Sequence, residues 1–480
     1  MSESIAEMVI PGTYIEVRSE GLIAVGGIAT GTIGIVGTAG RGPVGVAVPV
    51  GSYAQAVDAF GGPDALAAPH AAGHPLTLSR ALDQAFAGGA SNVFAVRVAN
   101  GTPTPATLAV KAAGATDAFT LSAKGATDAD GDEIADTSGT WGRDTHVDVV
   151  ADTSSGATRW RMTISAGTRR EAYEGANVGE VHGSLGTSTL VSVGAVSNAG
   201  SAFDPLSANL GGGTDGADVT AVDVNRGLAV LEDQQVNIVL VAGMGADAVG
   251  TIVLAHLDRT EGEGKERIAV LGARSSGTAT NAAGVEADAA ATSDDRIVLV
   301  APGIRTTDVD GASVALPPTY LAAAVAGKLS SLAPQVSLTN KVLPVVPDVK
   351  YATPLLSSLL QDRVLLVRQK FGTQVVKGIT TDTGAFKQIS IRRIVDYAKA
   401  GVRQGADPYI GKLNNARVRA ALKATLDGFL SQMVLDEMLI DYDLDVSASR
   451  AQERAGVCQV VMTLRPTFSI DYIRVTMNLE

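Results

Sequence analysis

A glycine-rich turn at Gly243 is the stretch best suited to binding chemistry. The sequence GMGADA at 243–248 matches the pattern G-x-G-x-x-A. It lies between the apolar run Asn237–Val241 and an amphipathic stretch that predicts a helix over Ala246–Leu257. In dinucleotide-binding folds, such a turn presents backbone N–H groups at a helix N-terminus to a pyrophosphate. The pattern raises the hypothesis of a nucleotide-dependent α/β enzyme built on Gly243 and Gly245.

Two features of this region weigh against a nucleotide. Asp247 places a carboxylate at the predicted helix N-terminus, where a bound anion would have to lie. The acidic residues that follow, Glu261, Glu263 and Glu266, fall in a loop predicted over Thr260–Glu266 and not at the end of the next strand. We therefore favour a tight turn between a strand and a helix, and we predict no cofactor.

Two other sets have the spacing of metal ligands. His70 and His74 are four positions apart, but they lie in a Pro- and Gly-rich loop without a nearby carboxylate. The run Asp128–Asp132 resembles the start of a calcium-binding EF-hand loop, yet the twelfth position is Gly139 and neither flank has a helical pattern. The motifs G-x-S-x-G and H-E-x-x-H do not occur in the sequence. We predict neither a metal site nor an enzyme.

The composition narrows the class of partner. The 480 residues carry a net charge of −12 and only 4% aromatic residues, which disfavours both phosphate backbones and base stacking. The single cysteine, Cys458, excludes an internal disulfide and alternates with apolar residues, so we predict a buried thiol. No secretory signal and no apolar run of about 18 residues is found. We expect a protein that is made and kept soluble in a cytoplasm, without nucleic acid and without direct membrane insertion.

Alternating strand and helix patterns predict the core that would position the glycine-rich turn. The apolar runs Asn92–Val98, Asn237–Val241, Arg267–Leu271 and Arg296–Val300 are separated by helical patterns. Continuous apolar strands of this kind are typical of a sheet that helices cover on both faces. We predict an α/β core that is discontinuous in sequence, over 22–100 and 214–375.

Two further regions differ from this core in composition and in their strand and helix patterns. Residues 101–213 are rich in Thr, Ser, Gly and Asp and contain short strand patterns, which predicts an inserted all-β domain closed by Gly211–Gly213. Residues 376–465 combine a strand over Val375–Thr381, the stretch Lys387–Ile391, helices and a final strand, which predicts an α+β C-terminal domain.

The chain ends in a stretch with the alternation of a β-strand that runs to its last residues. The apolar positions after Pro466 that share one parity are Ile473, Val475, Met477 and Leu479. A strand needs partners for its backbone N–H and C=O groups. They come either from the protein's own sheet or from a neighbouring copy by strand addition. The same alternative applies to Ile15 and Val17, in a short strand predicted over Thr13–Arg18.

Three blocks in a fixed order carry a resemblance to a known family. They are PGTYIE at 11–16 with the Gly-rich run after it, LGGGTDGADVTAVD at 210–223, and ITTDTGAFKQISIRRIVDY at 379–397 followed by YIGK at 409–412. Together they resemble the contractile tail sheath family of tailed phages and related contractile injection systems. The inserted region at 101–213 carries no part of this resemblance.

The resemblance implies a structural subunit without a catalytic site. Hexameric rings of such subunits stack helically around an inner tube, and the sheath contracts irreversibly to drive the tube through a cell envelope. The implied partners are further copies, the inner tail tube protein, and baseplate and tail terminator proteins. Assembly would take place in a bacterial cytoplasm, in a virion tail or a released or cytoplasmic contractile particle. Linking arms over 1–21 and 466–480 would add strands to a neighbour's C-terminal domain, and the inserted domain would face outward.

A basic stripe is the second candidate contact surface. Between Lys387 and Lys423 there are nine basic and two acidic residues. On a helix predicted over Asn414–Leu439, Arg419 and Lys423 flank an apolar stripe, and Lys412 precedes it. The stripe is either a solvated face or a patch against an acidic inner tube. The other reading of the whole chain is a different self-assembling shell or fibre protein, which would share strand exchange but form no hollow sleeve.

Overall fold

A computed structural model of the protein describes residues 27–66, 75–101, 104–124, 139–153, 158–167, 169–216, 218–274 and 282–479. The chain divides into two compact units. Among the described residues, the larger unit comprises those within 29–392 and 470–479, and the smaller unit comprises residues 27–28 and Arg393–Ser469. Residues 376–392, which the sequence groups with a C-terminal domain, therefore lie in the larger unit.

A nine-stranded mixed sheet forms the centre of the larger unit. From one edge to the other its strands are β17 (Val342–Leu343), β20 (Thr373–Val375), β19 (Leu365–Gln369), β14 (Ile297–Ala301), β13 (Ile268–Gly272), β12 (Ile238–Val241), β1 (Ile33–Gly37), β3 (Val93–Arg97) and β2 (Ala47–Val50). The strands from β19 to β3 are parallel, and β2, β20 and β17 run antiparallel to their neighbours. The mixed α/β character predicted from the sequence is confirmed.

Helices cover both faces of this sheet because its central strands are apolar at every position. On β12, Ile238 and Leu240 pack into one hydrophobic cluster, and Val239 and Val241 pack into the other. The first cluster includes residues of α1 (Tyr53–Phe60), α2 (Leu78–Gly88) and α7 (Pro318–Ser330). The second includes residues of α4 (Ala221–Glu232), α5 (Ala246–Gly262), α6 (Ala282–Ala291) and α8 (Thr353–Gln361). A small antiparallel sheet lies beside them, with β16 (Ser313–Leu316), β15 (Ile304–Thr307) and β18 (Val346–Pro347).

The strand predicted over Val375–Thr381 is wrong. Strand β20 ends at Val375, and the residues beyond it do not continue the strand. The Thr381 hydroxyl donates to the Thr292 carbonyl at 2.6 Å, and the Thr381 N–H donates to the Ile297 carbonyl at 2.9 Å. Side-chain bonds of this kind compete with ladder pairing. Helix α9 (Ile389–Ala406) begins within the stretch Lys387–Ile391.

The inserted region folds as two four-stranded antiparallel sheets around one core. Edge-to-face contacts of Phe203 with Phe119 and Trp160 lie inside this core, at centroid distances of 6.1 and 5.7 Å. One sheet has the order β10 (Leu206–Asn209), β6 (His146–Asp152), β7 (Arg159–Ala166), β8 (Arg169–Gly175). The other has the order β11 (Gly211–Thr214), β4 (Thr104–Ala112), β5 (Thr116–Ala123), β9 (Val191–Val193).

The prediction of an all-β insertion is wrong in one element. Helix α3 spans Val178–Leu185, and the Asn177 side chain caps it by accepting from the Glu180 N–H at 3.0 Å. Its buried residues Val178, Val181 and Leu185 have helical spacing, but interspersed glycines obscure the pattern. The glycines at 211–213 belong to strand β11 and do not form a closing turn.

The remaining elements belong mainly to the smaller unit. They are α9 (Ile389–Ala406), a 3₁₀ helix over Asp407–Tyr409, α10 (Ala416–Leu435), β21 (Leu439–Ser447), α11 (Arg450–Arg454) and β22 (Gln459–Pro466). No helix in the described ranges is both long enough and apolar enough to cross a membrane.

Candidate assembly interface

The glycine-rich turn at Gly243 lies at the switch point of the sheet, close to Thr77. The chain passes from β1 to β3 on one side of the sheet and continues through β12 on the other, so the carboxyl ends of β1 and β12 mark the topological switch point. Thr77, the residue before α2, lies there and accepts from the Thr38 N–H through Oγ1 at 3.0 Å. Gly243 has a φ of 80°, and a Cβ added to it would collide with the Thr77 side chain. The GMGADA turn therefore provides a left-handed turn and a close approach of the backbone to Thr77.

The acidic residues near this turn are engaged elsewhere. Asp247 lies in the first turn of α5, as the sequence predicts. Glu261 belongs to α5, which corrects the predicted loop, and its carboxylate binds the buried Arg296 at 2.7 Å. Glu263 pairs with Lys265 at 3.2 Å. None of these contacts places a glutamate as a ribose acceptor.

The metal-ligand candidates cannot be matched to a cluster. His70, His74 and Asp128–Asp132 lie outside the described residues. Within the described ranges, no group of three or more His, Cys, Asp or Glu side chains could hold a metal ion.

The smaller unit is built on close packing between α9 and α10. A Cβ added at Gly401 would collide with the Phe429 ring, so only glycine allows this approach. The rings of Tyr397 and Phe429 lie 5.7 Å apart. The apolar stripe predicted on α10 is confirmed: Leu422, Leu426, Phe429 and Met433 are buried, and Val418 is half-buried. One face of α10 is thus fixed against the unit's own core, and the opposite face is free to carry charge.

The basic stripe is smaller than its sequence suggests. Arg419 forms an ion pair with Glu453 at 3.0 Å and is only 17% exposed. Hydrogen bonds from Arg450 and then from Arg419 hold the pKa of Glu453 below its usual value. Lys412 and Lys423 are exposed. The charge of Arg419 is therefore compensated within the chain, and Lys412 and Lys423 carry the exposed part of the stripe.

Strands β21 and β22 form an isolated antiparallel hairpin. They pair from Leu439 with Pro466 to Ser447 with Gln459, and neither outer edge has a partner strand among the described residues. Half-buried residues on β21 and β22 alternate with exposed ones, and α10 packs against β21. A two-stranded sheet is marginally stable alone and exposes unpaired backbone groups at both edges. The hairpin is therefore able to accept a further strand.

The outer face of the hairpin is polar, and its thiol is exposed. Arg465 bridges Asp441 and Asp443 across the strands, at 3.2 Å from Asp443. Cys458 is exposed, so the predicted buried thiol is wrong. It precedes β22 by one residue, in the turn after α11.

The chain after the hairpin is anchored in the larger unit at Asp471. The Gln388 side chain donates to the Asp471 carboxylate at 3.0 Å, and Lys377 Nζ lies 3.7 Å from it. Lys377 also donates to the Tyr472 hydroxyl at 3.2 Å. The side chain of Asp471 is only 13% exposed. Sequence patterns missed this anchor; its only signal is a carboxylate inside an otherwise apolar alternation.

Beyond this anchor, the apolar residues of the terminal segment (residues 473–479) face solvent. Their exposed fractions are 83% for Ile473, 72% for Val475, 85% for Met477 and 100% for Leu479. The strand predicted to run to the end of the chain is absent from the described residues 467–479. The alternation is present, but no strand among the described residues pairs with it. Ile15 and Val17 lie outside the described residues.

Comparisons with known proteins address this C-terminal region directly. Residues 381–480 match the family model described as the phage tail sheath C-terminal domain. The tail sheath protein of Mycobacterium phage Bxz1 is 25% identical over 287 residues, which cover 55% of this chain and 47% of that protein. The tail sheath protein of Bacillus phage SP01 is 26% identical over 219 residues, covering 44% and 38%. The resemblance to the tail sheath family is confirmed.

The tail sheath fold extends over nearly the whole chain. The sheath tail protein of Desulfitobacterium hafniense aligns with 95% of this chain and 100% of its own length, at 18% identity and a TM-score of 0.65. The helical sheath of the anti-feeding prophage in the contracted state aligns with 98% of this chain and 99% of its own, at 13% identity and a TM-score of 0.57. In sequence, the chain matches less than half of the length of the two curated tail sheath relatives.

Proposed function

We propose that this chain is the structural subunit of a contractile tail sheath, in which the terminal segment pairs with the hairpin of a neighbouring copy. The observation that carries this proposal is the exposure of alternating apolar side chains beyond the anchor at Asp471. Exposing four apolar side chains at alternate positions is unfavourable for an isolated chain. Burying them on a neighbour would supply the missing apolar contacts and the missing backbone partners together.

The hairpin β21–β22 is the acceptor in this proposal. Its free edges offer backbone N–H and C=O groups, and its half-buried face offers apolar contacts. Pairing through the backbone tolerates rotation of the joined subunits about a hinge, since few side chains fix their angle. Hexameric rings would then stack helically around an inner tube and contract irreversibly without losing their links. The N-terminal residues Ile15 and Val17 would form a second arm of the same kind.

The sheath's other partners are an inner tube protein, a baseplate and a tail terminator. For the tube, we propose a contact through Lys412 and Lys423, with Arg419 beside them in its ion pair with Glu453. Single exposed charges contribute only fractions of a kcal/mol. Their effect is multiplied because every subunit of a helical sheath repeats the contact.

Negative-stain microscopy of the purified chain tests the proposed function. Hollow tubes with an open lumen support it, whereas closed shells or solid fibres would point to another kind of self-assembly. Discrete particles that bind a dinucleotide or ATP in calorimetry would contradict it, because the crevice at Gly243 would then have to open past Thr77.

Reversing both Lys412 and Lys423 to Glu should reduce co-sedimentation with the inner tube protein several-fold at low salt. Charges at the surface are screened over about 8 Å at physiological ionic strength, so added salt should weaken the wild-type contact in the same way. The matched control reverses the exposed residues Arg169 and Arg170 on β8, which changes the net charge equally. Equal loss in both variants would assign the effect to net charge and remove the patch from the proposal.

A further inference from the structure

Phe371 combines a backbone conformation that is unusual for a bulky residue with an apolar side chain that is exposed to solvent. It lies at the tip of the hairpin between β19 and β20, with a φ of 52°, and it is 92% exposed. Tight hairpin turns with positive φ favour Asn, Asp or Gly, and a bulky residue there is a genuine outlier. The described non-glycine residues with positive φ include one aromatic, Phe371, beside Ala115, Asn198, Asn340, Arg363 and Glu437. An outlier retained at this cost points to a contact made outside the single chain.

The surroundings of Phe371 extend the apolar surface to the edge of the core sheet. A Cβ added at Gly372 would lie 3.3 Å from Val342 Cγ1, so the hairpin tip and the edge strand β17 are neighbours. Val342 is 49% exposed. Beyond β17 no further strand pairs with the sheet among the described residues. We call Phe371 and Val342 the edge knob.

The smaller unit carries a largely apolar groove with room for an aromatic side chain. It lies between the loop after α9 and the turn before β22, with a volume of about 380 Å³. Its apolar lining comprises Ile410, Leu413, Leu422, Val457, Cys458 and Val460. Ile410 and Leu413 are 79% and 78% exposed. Ligand pockets of roughly 300–1,000 Å³ accept drug-sized molecules, so this groove has room for a phenyl ring.

We propose that Phe371 of one copy inserts into the apolar groove of the next copy. Knob and groove are different surfaces of one chain, so their contact is heterologous, and heterologous contacts generate rings or open helices. A helical sheath is the assembly named for the anti-feeding prophage protein that shares this fold. The contact rests on the proposed self-assembly and shares Val460 of β22 with the proposed acceptor hairpin, but it uses no residue of the terminal segment.

The native cysteine makes the contact directly testable. Cys458 lines the groove and is the only cysteine of the chain. In tubes of a Phe371→Cys variant treated with a mild oxidant, we expect a ladder of disulfide-linked multimers. Peptide mapping should show position 371 joined to Cys458, since a disulfide requires Cα atoms within about 7 Å. Adding Cys458→Ser should remove the ladder, and an Ala115→Cys control, at another exposed turn with positive φ, should give no link to Cys458.

A second variant separates assembly from folding. Phe371→Asn suits the positive φ, so the melting temperature should hold or rise. The concentration needed for tube formation should rise about tenfold or more, as for the loss of an aromatic hot spot. Ala115→Asn, the matched control, should assemble normally. In mixtures, a Leu413→Asp variant, with its groove blocked by a charge, should associate with Phe371→Asn more strongly than either variant associates with itself, because the mixed pair retains one intact knob and one intact groove.

The outcomes distinguish this contact from the proposed function. Tubes of Phe371→Cys in which position 371 never links to Cys458, or normal tubes from Phe371→Asn, would overturn the knob contact and leave the sheath intact. A link from position 371 to the inner tube protein would assign the knob to that partner and overturn the proposal as well. If the wild-type chain forms no tubes under any condition, the proposed function itself fails.

Discussion

Removing residues 473–480 should abolish tube formation and leave the melting temperature of the monomer almost unchanged. Burying one side chain such as Ile or Leu contributes roughly 1.5–3 kcal/mol, so a segment packed in its own core would cost several kcal/mol when deleted. Here the four apolar side chains are at least 72% exposed, and little is lost. The anchor at Asp471 and Tyr472 stays in place in this truncation. Thermal unfolding and negative-stain microscopy of the same sample measure both effects.

Residues on the two faces of the terminal segment provide a matched pair of variants. Replacing Ile473, Val475, Met477 and Leu479 by Ser should also abolish assembly, because these side chains would face the neighbour's apolar surface. Replacing Thr476 and Asn478 by Ala, on the opposite face of a donated strand, should leave tubes intact. A truncated chain that is unfolded would show that the segment stabilises its own subunit. Normal tubes from it would show that other contacts join the subunits.

The core could be predicted from sequence because its signals are local. The strands Ile238–Val241, Ile268–Gly272 and Ile297–Ala301 are apolar at every position, and only a sheet with two covered faces buries them fully. The same holds for the stripe on α10, whose spacing of three and four residues predicts one buried face. In both cases the pattern that shows the element also shows what it packs against.

The candidate site was harder to predict because its contacts join residues far apart in sequence. Thr77 packs against the turn at Gly243, and Glu453 compensates the charge of Arg419. Neither contact can be recognised from the local sequence pattern. The exposed Cys458 alternates with apolar residues as a buried thiol would, and only its exposure in the structure reveals the difference. The terminal segment shows the limit most clearly: alternation predicts a strand but cannot state which chain pairs with it.

A buried histidine makes the folding stability of the larger unit depend on pH. His256, on α5, is fully buried, and Arg267 donates to its Nε2 at 3.2 Å. Its Nδ1 lies 3.4 Å from Glu232, which Arg259 also binds at 2.7 Å. Burial, and then the charge of Arg267, lowers the pKa of His256 to about 4. The ring is therefore neutral in the folded protein over a range in which a free histidine is charged.

Acid should weaken the fold between pH 6.5 and about 4. In this range the unfolded chain binds a proton at His256 that the folded chain excludes, so the free energy of unfolding falls as the pH falls. With a pKa of 6.5 unfolded and about 4 folded, the loss at pH 5 relative to neutral pH is about 2 kcal/mol. Urea titrations followed by circular dichroism at pH 7, 6 and 5 would measure it.

Replacing His256 by Gln should flatten this pH dependence, whereas His182→Gln on α3 should preserve it. The glutamine keeps an acceptor for Arg267 but cannot gain a proton, so the variant separates packing from titration. Glu232 does not explain the window: burial raises its pKa, but hydrogen bonds and charge from Arg259 outweigh this and hold it below the usual value. An NMR titration of the His256 ring gives an independent measurement. A midpoint near 6.5, or an unchanged slope in His256→Gln, would show that the buried ring is not the acid-sensitive group.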